Sequence, residues 1–300
     1  MKNKVVFGLL LLVAGNLFSA LYDVSIKWLP TDTNATTFLL VRQLTSILML
    51  VPLWYLVGKP KPQAWRIHFF RANIGALGAL GLVIGIMALP LASVSALFYT
   101  APLMIMVLGY IFLKERVTIG QWICALLGML GVLLILKPGA MAIAGVAVLF
   151  SALTFAICQL TLRKVSFDDH PIIPIMLYNL LALPLVAVMT LIQGIEGLSW
   201  QLLMVALVSN VCLMVYHWFC VLAYRQAQAG EIAIAEYSGL IFIVFFGWLL
   251  FDEWLDNLAW LGAAMVVLPS LLLPQWQKLQ QLLNKKLNRN LKIAQDIQKL

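Results

Sequence analysis

Ten apolar runs, each close to the length that crosses a bilayer, limit what this chain can fold into more than any other feature. In the first half they cover roughly Val5 to Ile26, Thr36 to Val57, Phe69 to Leu89, Ser93 to Leu113 and Ile119 to Leu136. In the second half they cover Met141 to Leu162, Ile173 to Ile192, Leu202 to Tyr224, Ile232 to Phe251 and Leu258 to Leu273. A hydrocarbon core about 30 Å thick is spanned by about 20 residues of helix, and every backbone polar group within it must be bonded inside the protein. The runs are continuous in Leu, Val and Ile, without the alternating polar face of a barrel strand, so they predict helices. The connections are too short to hold a soluble catalytic domain. Composition agrees, with 63% hydrophobic and 11% charged residues, against about a quarter charged in a soluble domain. The expected class is an all-α integral membrane protein of ten transmembrane helices.

The opening stretch MKNKVVFGLLLLVAGNLFSA has the basic start, apolar core and small-residue end of a secretory signal. Its removal would leave nine spans and destroy the symmetry described next, so it is read as the first helix. Cys124, Cys158, Cys212 and Cys220 all fall inside predicted spans without CxxC spacing, and are read as small apolar fillers rather than zinc ligands.

Charge sets the expected orientation. With the N-terminus in the cytoplasm, all of the 20 Lys and Arg residues except Lys27, Lys137 and Arg42 fall on the cytoplasmic side, a strong positive-inside bias. Both termini are then cytoplasmic. The segments LKERVTIGQW (Leu113 to Trp122) and FDEWLDNLAW (Phe251 to Trp260) share a frame in which Glu115 matches Glu253 and Trp122 matches Trp260. The same offset pairs Tyr99 with Tyr237 and Gly109 with Gly247. Lys114 and Arg116 of the first copy become Asp252 and Trp254 in the second. Five helices per half is an odd number, so a second copy enters the membrane from the opposite side and its fourth loop leaves the cytoplasmic face, which explains the lost cations. The expected organisation is two inverted-topology five-helix repeats, residues 1–138 and 139–275, followed by a tail over 276–300. Inverted repeats characterise carriers that alternate access around a site near the midplane.

The stretch FFRANIGALGALGLVIGIMALPLASVSALFYTAPLMIMVLGYIFLKERVTIGQWICALLGMLGVLLILKPG, with LFSALYDVSIKWL in the first span, resembles the drug/metabolite transporter superfamily, in particular its EamA-type ten-helix members. The LYDVSIKWL segment is most similar to the branch that includes uptake carriers for S-adenosylmethionine and riboflavin. The resemblance runs to Pro274 and implies a secondary carrier of small metabolites with a central cavity between its halves. It is weaker in the second half, where EIAIAEYSGLIFIVFF lacks the counterpart of Pro102.

Enzyme motifs (HExxH, GxSxG, GxxxxGK) do not occur, and the expectation is a protein that is not an enzyme and uses no cofactor or metal. The informative residues are instead the polar groups inside the spans, since charge at that depth is expensive and usually faces a cavity or a partner. Asp23 and Arg42 lie near the same end of helices 1 and 2, and a structural ion pair between them is expected. Arg42 meeting an anionic substrate group is the alternative. Gln159, His217 and Glu236, with Tyr216, Trp218 and Tyr237 beside them, make a second set that suits a cationic amine or a coupling proton. Asn16 and Tyr99 complete the candidate substrate-binding residues, while Asn179 and Asn210 are read as interhelical glue. Gly75, Gly78, Gly81 and Gly85 form a small-residue stripe suited to close internal packing rather than a dimer face. The tail QWQKLQQLLNKKLNRNLKIAQDIQKL alternates Leu and basic residues at helical spacing, as in a helix lying on an anionic membrane surface.

The functional expectation is a secondary active transporter of the inner membrane, moving a small amphipathic or amino-acid-like metabolite by alternating access. Riboflavin or S-adenosylmethionine uptake is the alternative within that class, and an integral membrane enzyme or scaffold the alternative outside it. Its partners are a small-molecule substrate and the lipid bilayer, with a proton as candidate coupling ion and no nucleic acid. An oligomer is compatible with the sequence.

Overall fold

The apolar runs fold into helices close to the predicted positions, and the largest departure is caused by a proline. The computed structural model describes residues 2–114, 119–135, 140–162, 170, 172–226, 238–254, 256–265, 267, 268 and 272. Its helices are α1 Lys2–Lys27, α2 Ala35–Leu56, α3 Trp65–Ala88, α4 Leu91–Phe98, α5 Ala101–Leu113, α6 Ile119–Ile135, α7 Ala140–Leu162, α8 Ile172–Gln193, α9 Trp200–Gln226 and α10 Ser238–Phe251. Residues 257–265 are helical again, and no strand occurs among the described residues. Among the described residues, five segments are long and apolar enough to cross a membrane: Val6–Lys27, Ala35–Leu56, Trp65–Ala88, Ile172–Gln193 and Trp200–Cys220. The predicted tail over 276–300 lies outside the described residues.

The fourth expected span is two helices, α4 and α5, broken at Tyr99 and Thr100. Pro102 sits in the first turn of α5. Within a continuous helix its ring would clash with the Phe98 carbonyl and its missing N–H would leave that carbonyl unbonded, so the chain stops and restarts instead. The break is bonded locally. Tyr99 N–H donates to the Ser95 carbonyl at 2.8 Å, Thr100 N–H to the Leu97 carbonyl at 3.1 Å, and Thr100 Oγ1 to the same carbonyl at 2.7 Å.

The helices pack in a pattern that survives exchange of the halves. α1 lies most extensively on α9 and α3 on α7. If α1, α2, α3 and α5 are taken as counterparts of α7, α8, α9 and α10, exchange turns the α1–α9 contact into α7–α3. It likewise turns α1–α10 into α7–α5 and α2–α9 into α8–α3, and maps α2–α8 onto itself. All of these contacts are present. The main core is accordingly shared between halves, with Phe38, Val83 and Leu97 in one cluster with Val148, Ala182 and Leu202.

Small residues permit the closest of these approaches. In α3, Gly78 faces Thr154, Gly81 faces the Ala147 backbone carbonyl and Gly85 faces Val148, all on α7, while Gly75 lies under the ring of Tyr178 on α8. The glycine stripe is therefore internal packing.

The halves also stop alike. Lys114 after α5 and Asp252 after α10 both take the left-handed conformation, at φ 54° and 51°. Lys114 N–H then bonds the Gly109 carbonyl, and Glu253 N–H bonds the Gly247 carbonyl at 3.0 Å. Gly109 and Gly247 are the glycines that the sequence frame matches.

Candidate functional site

Two arginines reach the interior from opposite ends of the bundle. Arg42 lies seven residues into α2 and Arg71 six residues into α3, so at 1.5 Å per residue each sits roughly 10 Å inside its own end of an antiparallel pair. Arg42 is 1% exposed, and Arg71 is partly buried. The Nε atom of each has no hydrogen-bond partner among the described residues, and the only ion pair among those residues is elsewhere, between Lys27 and Glu253. A cation at the centre of a lipid-embedded helix costs roughly 2.5–3.5 kcal/mol on insertion scales, so two with no carboxylate partner among the described residues mark this region as unusual.

Aromatic and polar side chains from four more helices surround them. The Arg42 guanidinium stands over the Tyr22 ring on α1, 5.9 Å from its centroid, in the geometry of a cation–π contact. Tyr178 on α8 lies within electrostatic reach of both arginines. Its ring packs over Gly75, one turn along α3 from Arg71, and its hydroxyl is acted on by Arg42. His217 on α9 lies within electrostatic reach of both arginines. Cys158 on α7 donates to the Arg71 carbonyl at 3.6 Å. Gln43 and Asn179, next in sequence to Arg42 and Tyr178, are buried with unpartnered amide atoms of their own.

Arg42 is held in place from α9. Asn210 Nδ2 donates to the Arg42 carbonyl at 2.9 Å and to Thr45 Oγ1 at 2.8 Å, so the glue expected of Asn210 acts on the backbone that carries the arginine. Asn179 instead donates within its own helix, to the Ile175 carbonyl at 2.9 Å.

The candidate residues distribute unevenly. Arg42 and His217 lie within electrostatic reach of each other. The expected ion pair between Arg42 and Asp23 is not made, because among the described residues those side chains do not come within 4 Å, and Arg42 turns to the rings of Tyr22 and Tyr178 instead. Asn16 and Tyr99 meet at α10, where Asn16 Nδ2 donates to Ser238 Oγ at 3.1 Å and the Tyr99 hydroxyl abuts Gly239. Tyr216 stacks obliquely on His217, ring centroids 5.2 Å apart, and packs against Gly15 beside Asn16. Trp218 points away, 49% exposed on a stripe with Val208 and Val211. Gln159 belongs to α7, but its side chain, like all of Glu236 and Tyr237, lies outside the described residues. Sequence reasoning missed Arg71, counting it with the loop cations. The signal was present, since Arg71 follows Trp65 by more than a turn and precedes the glycine stripe by one.

The helix break at Tyr99 and Thr100 touches this region through Asn16 and α10, and the site as a whole draws on helices of both halves. Solved structures contain the same fold. One crystal structure, 14% identical in sequence, superposes with a TM-score of 0.60 over 92% of this chain and 99% of the other. Among curated proteins, a riboflavin transporter of Vibrio cholerae is 28% identical over 251 residues, covering 81% of this chain and 84% of that protein. An S-adenosylmethionine uptake transporter of Rickettsia conorii is 23% identical over 260 residues, covering 85% of this chain and 87% of that protein. One family model matches twice in succession, over residues 6–137 and again over 139–273. The chain is a membrane-spanning protein that belongs to the EamA-like transporter family.

Proposed function

We propose that this chain is a secondary carrier of the inner membrane that moves a small amphipathic or amino-acid-like metabolite by alternating access. The observation that carries this reading is the polar cluster of the buried Arg42 with the partly buried Arg71, Tyr178 and His217 at the junction of the halves. A buried set of polar groups drawn from elements that can rock against each other is the arrangement a midplane binding site requires. The twofold family match and the exchange-symmetric packing support two five-helix repeats of inverted topology. The positive-inside bias supports cytoplasmic termini. The rings of Tyr22 and Tyr178 favour an amphipathic or planar solute over a sugar.

Counterflow in proteoliposomes tests the proposal. Vesicles of the purified chain preloaded with unlabelled riboflavin, S-adenosylmethionine or single amino acids are expected to accumulate the labelled form of one of them transiently. An imposed pH difference tests the proton as coupling ion. Chemical conversion of the solute would point to an enzyme, and no exchange of any small metabolite would point to a scaffold.

A further inference from the structure

We infer that Arg42 and Arg71 together bind an oxyanion, a carboxylate or phosphate group, on the transported solute. The inference rests on the carrier reading above and names the solute chemistry. Arginine is always charged, and its planar fork pairs with carboxylate or phosphate oxygens through two parallel bonds. A buried arginine is ordinarily matched by an acid. Here the fully buried Arg42 and the partly buried Arg71, on different helices, both act on Tyr178 and His217, each with an unpartnered Nε. No carboxylate among the described residues lies within 4 Å of either guanidinium.

The surroundings sharpen the choice. Asp23 is the acid best placed in sequence to neutralise Arg42, yet Arg42 turns to Tyr22 and Tyr178 instead. The phenolic hydroxyls and the imidazole of His217 can donate to an oxyanion as well as accept. A like-charged solute group would meet two fixed cations with no carboxylate among the described residues beside them, so the cluster selects against a bare amine at this point. An amphipathic solute would then place its oxyanion between the arginines and its planar part against the tyrosine rings.

Matched pairs of probes test this on the purified full chain. Thermal stabilisation and competition in counterflow are measured with S-adenosylmethionine against its decarboxylated form, and with riboflavin 5′-phosphate against riboflavin. Inorganic phosphate and acetate serve as minimal oxyanions. The expected result is stabilisation by at least one oxyanion-bearing probe, with its counterpart weaker by about tenfold or more. The first pair reports a carboxylate and the second a phosphate. Arg42→Gln and Arg71→Gln are each expected to abolish the preference while raising, or leaving unchanged, the melting temperature of the unliganded protein, since each removes a charge that no carboxylate among the described residues matches. A structural role would lower that temperature instead. Arg71→Lys is expected to keep part of the preference and covers the case in which a Gln variant does not fold. Equal response to both members of each pair, retention of the preference in both Gln variants, or no response to any oxyanion would overturn the inference. Counterflow of a neutral or cationic solute alone would overturn it while leaving the carrier reading intact.

Discussion

Lys27 Nζ and Glu253 Oε1 meet at 2.8 Å, joining the end of α1 to the end of α10. The second carboxylate oxygen, Oε2, accepts the Leu91 N–H at the start of α4 at 2.7 Å. One side chain thus fastens three segments from both halves at the end of the bundle where α1 finishes, with Lys27 only 15% and Glu253 19% exposed. Under the proposed orientation this is the outer face. Glu253 is the residue that the sequence frame matches to Glu115, which lies outside the described residues.

In the proposed alternating-access cycle, such a clasp opens when the outer face admits or releases solute. Bonds of this charge-assisted kind contribute roughly 1.5–3 kcal/mol, enough to shift a two-state equilibrium by about 10- to 150-fold. Ser95, one turn along α4 from Leu91 and 6% exposed, is a suitable reporter as Ser95→Cys on a cysteine-free background. Lys27→Met and Glu253→Ala are expected to speed its reaction with a membrane-impermeant thiol reagent added from outside. Glu253→Gln keeps an acceptor for Leu91 and should fall between. Unchanged labelling in both Lys27→Met and Glu253→Ala would remove the clasp from the transport cycle.

The helices were legible because lipid forces one simple code, about 20 apolar residues with internally satisfied backbone. The break at Pro102 that splits α4 from α5 was passed over, because a window of hydropathy reads Ser93 to Leu113 as one span. The site was legible only in part. Arg42 stood out as a lone charge in an apolar run, whereas Arg71 was hidden by its nearness to Arg66 and the basic loop. Depth, not sequence distance from a loop, decides whether a cation is solvated. The acid partner of Lys27, Glu253, is 226 residues away, a separation that no local pattern encodes.

Asn210 is predicted to act on Arg42 through the backbone. Its amide bridges the Arg42 carbonyl and Thr45 Oγ1 while 1% exposed. Interhelical bonds of this kind in membranes are worth about 0.6 kcal/mol on average and up to about 1.7. Asn210→Ala should lower thermal stability by an amount in that range, and Thr45→Val by less. The double variant should lose less than the sum, because both singles break the same bond. Strict additivity would show that the two residues do not share it.

Gly81 is predicted to tolerate nothing larger than hydrogen. A Cβ at this position would press on the Ala147 backbone carbonyl, and backbone cannot swing aside as a side chain can. Overpacking of a tight core costs roughly 1–3 kcal/mol, so Gly81→Ala should reduce the melting temperature and Gly81→Val should prevent folding. Size-exclusion chromatography with light scattering supplies the contrast. A stripe used between chains would change the oligomer and spare the fold.

The proposed inverted topology gives the last prediction. Ile119 opens α6 and Asn257 opens the helical run over 257–265; they are equivalent in the sequence frame and both are exposed. Each follows a left-handed stop, at Lys114 and Asp252, so the two local structures are alike. If the halves are inverted, these matched positions must nevertheless lie on opposite faces of the membrane, because five helices separate one copy from the next. Cysteine-free variants carrying Ile119→Cys or Asn257→Cys are treated in intact cells with an impermeant maleimide, before and after permeabilisation. Asn257→Cys is expected to react in intact cells and Ile119→Cys only after permeabilisation, in keeping with the cations retained around Lys114 and replaced around Asp252. Reaction of both from the same side would make the repeats parallel, and the charge reversal between LKER and FDEW would then have no topological cause.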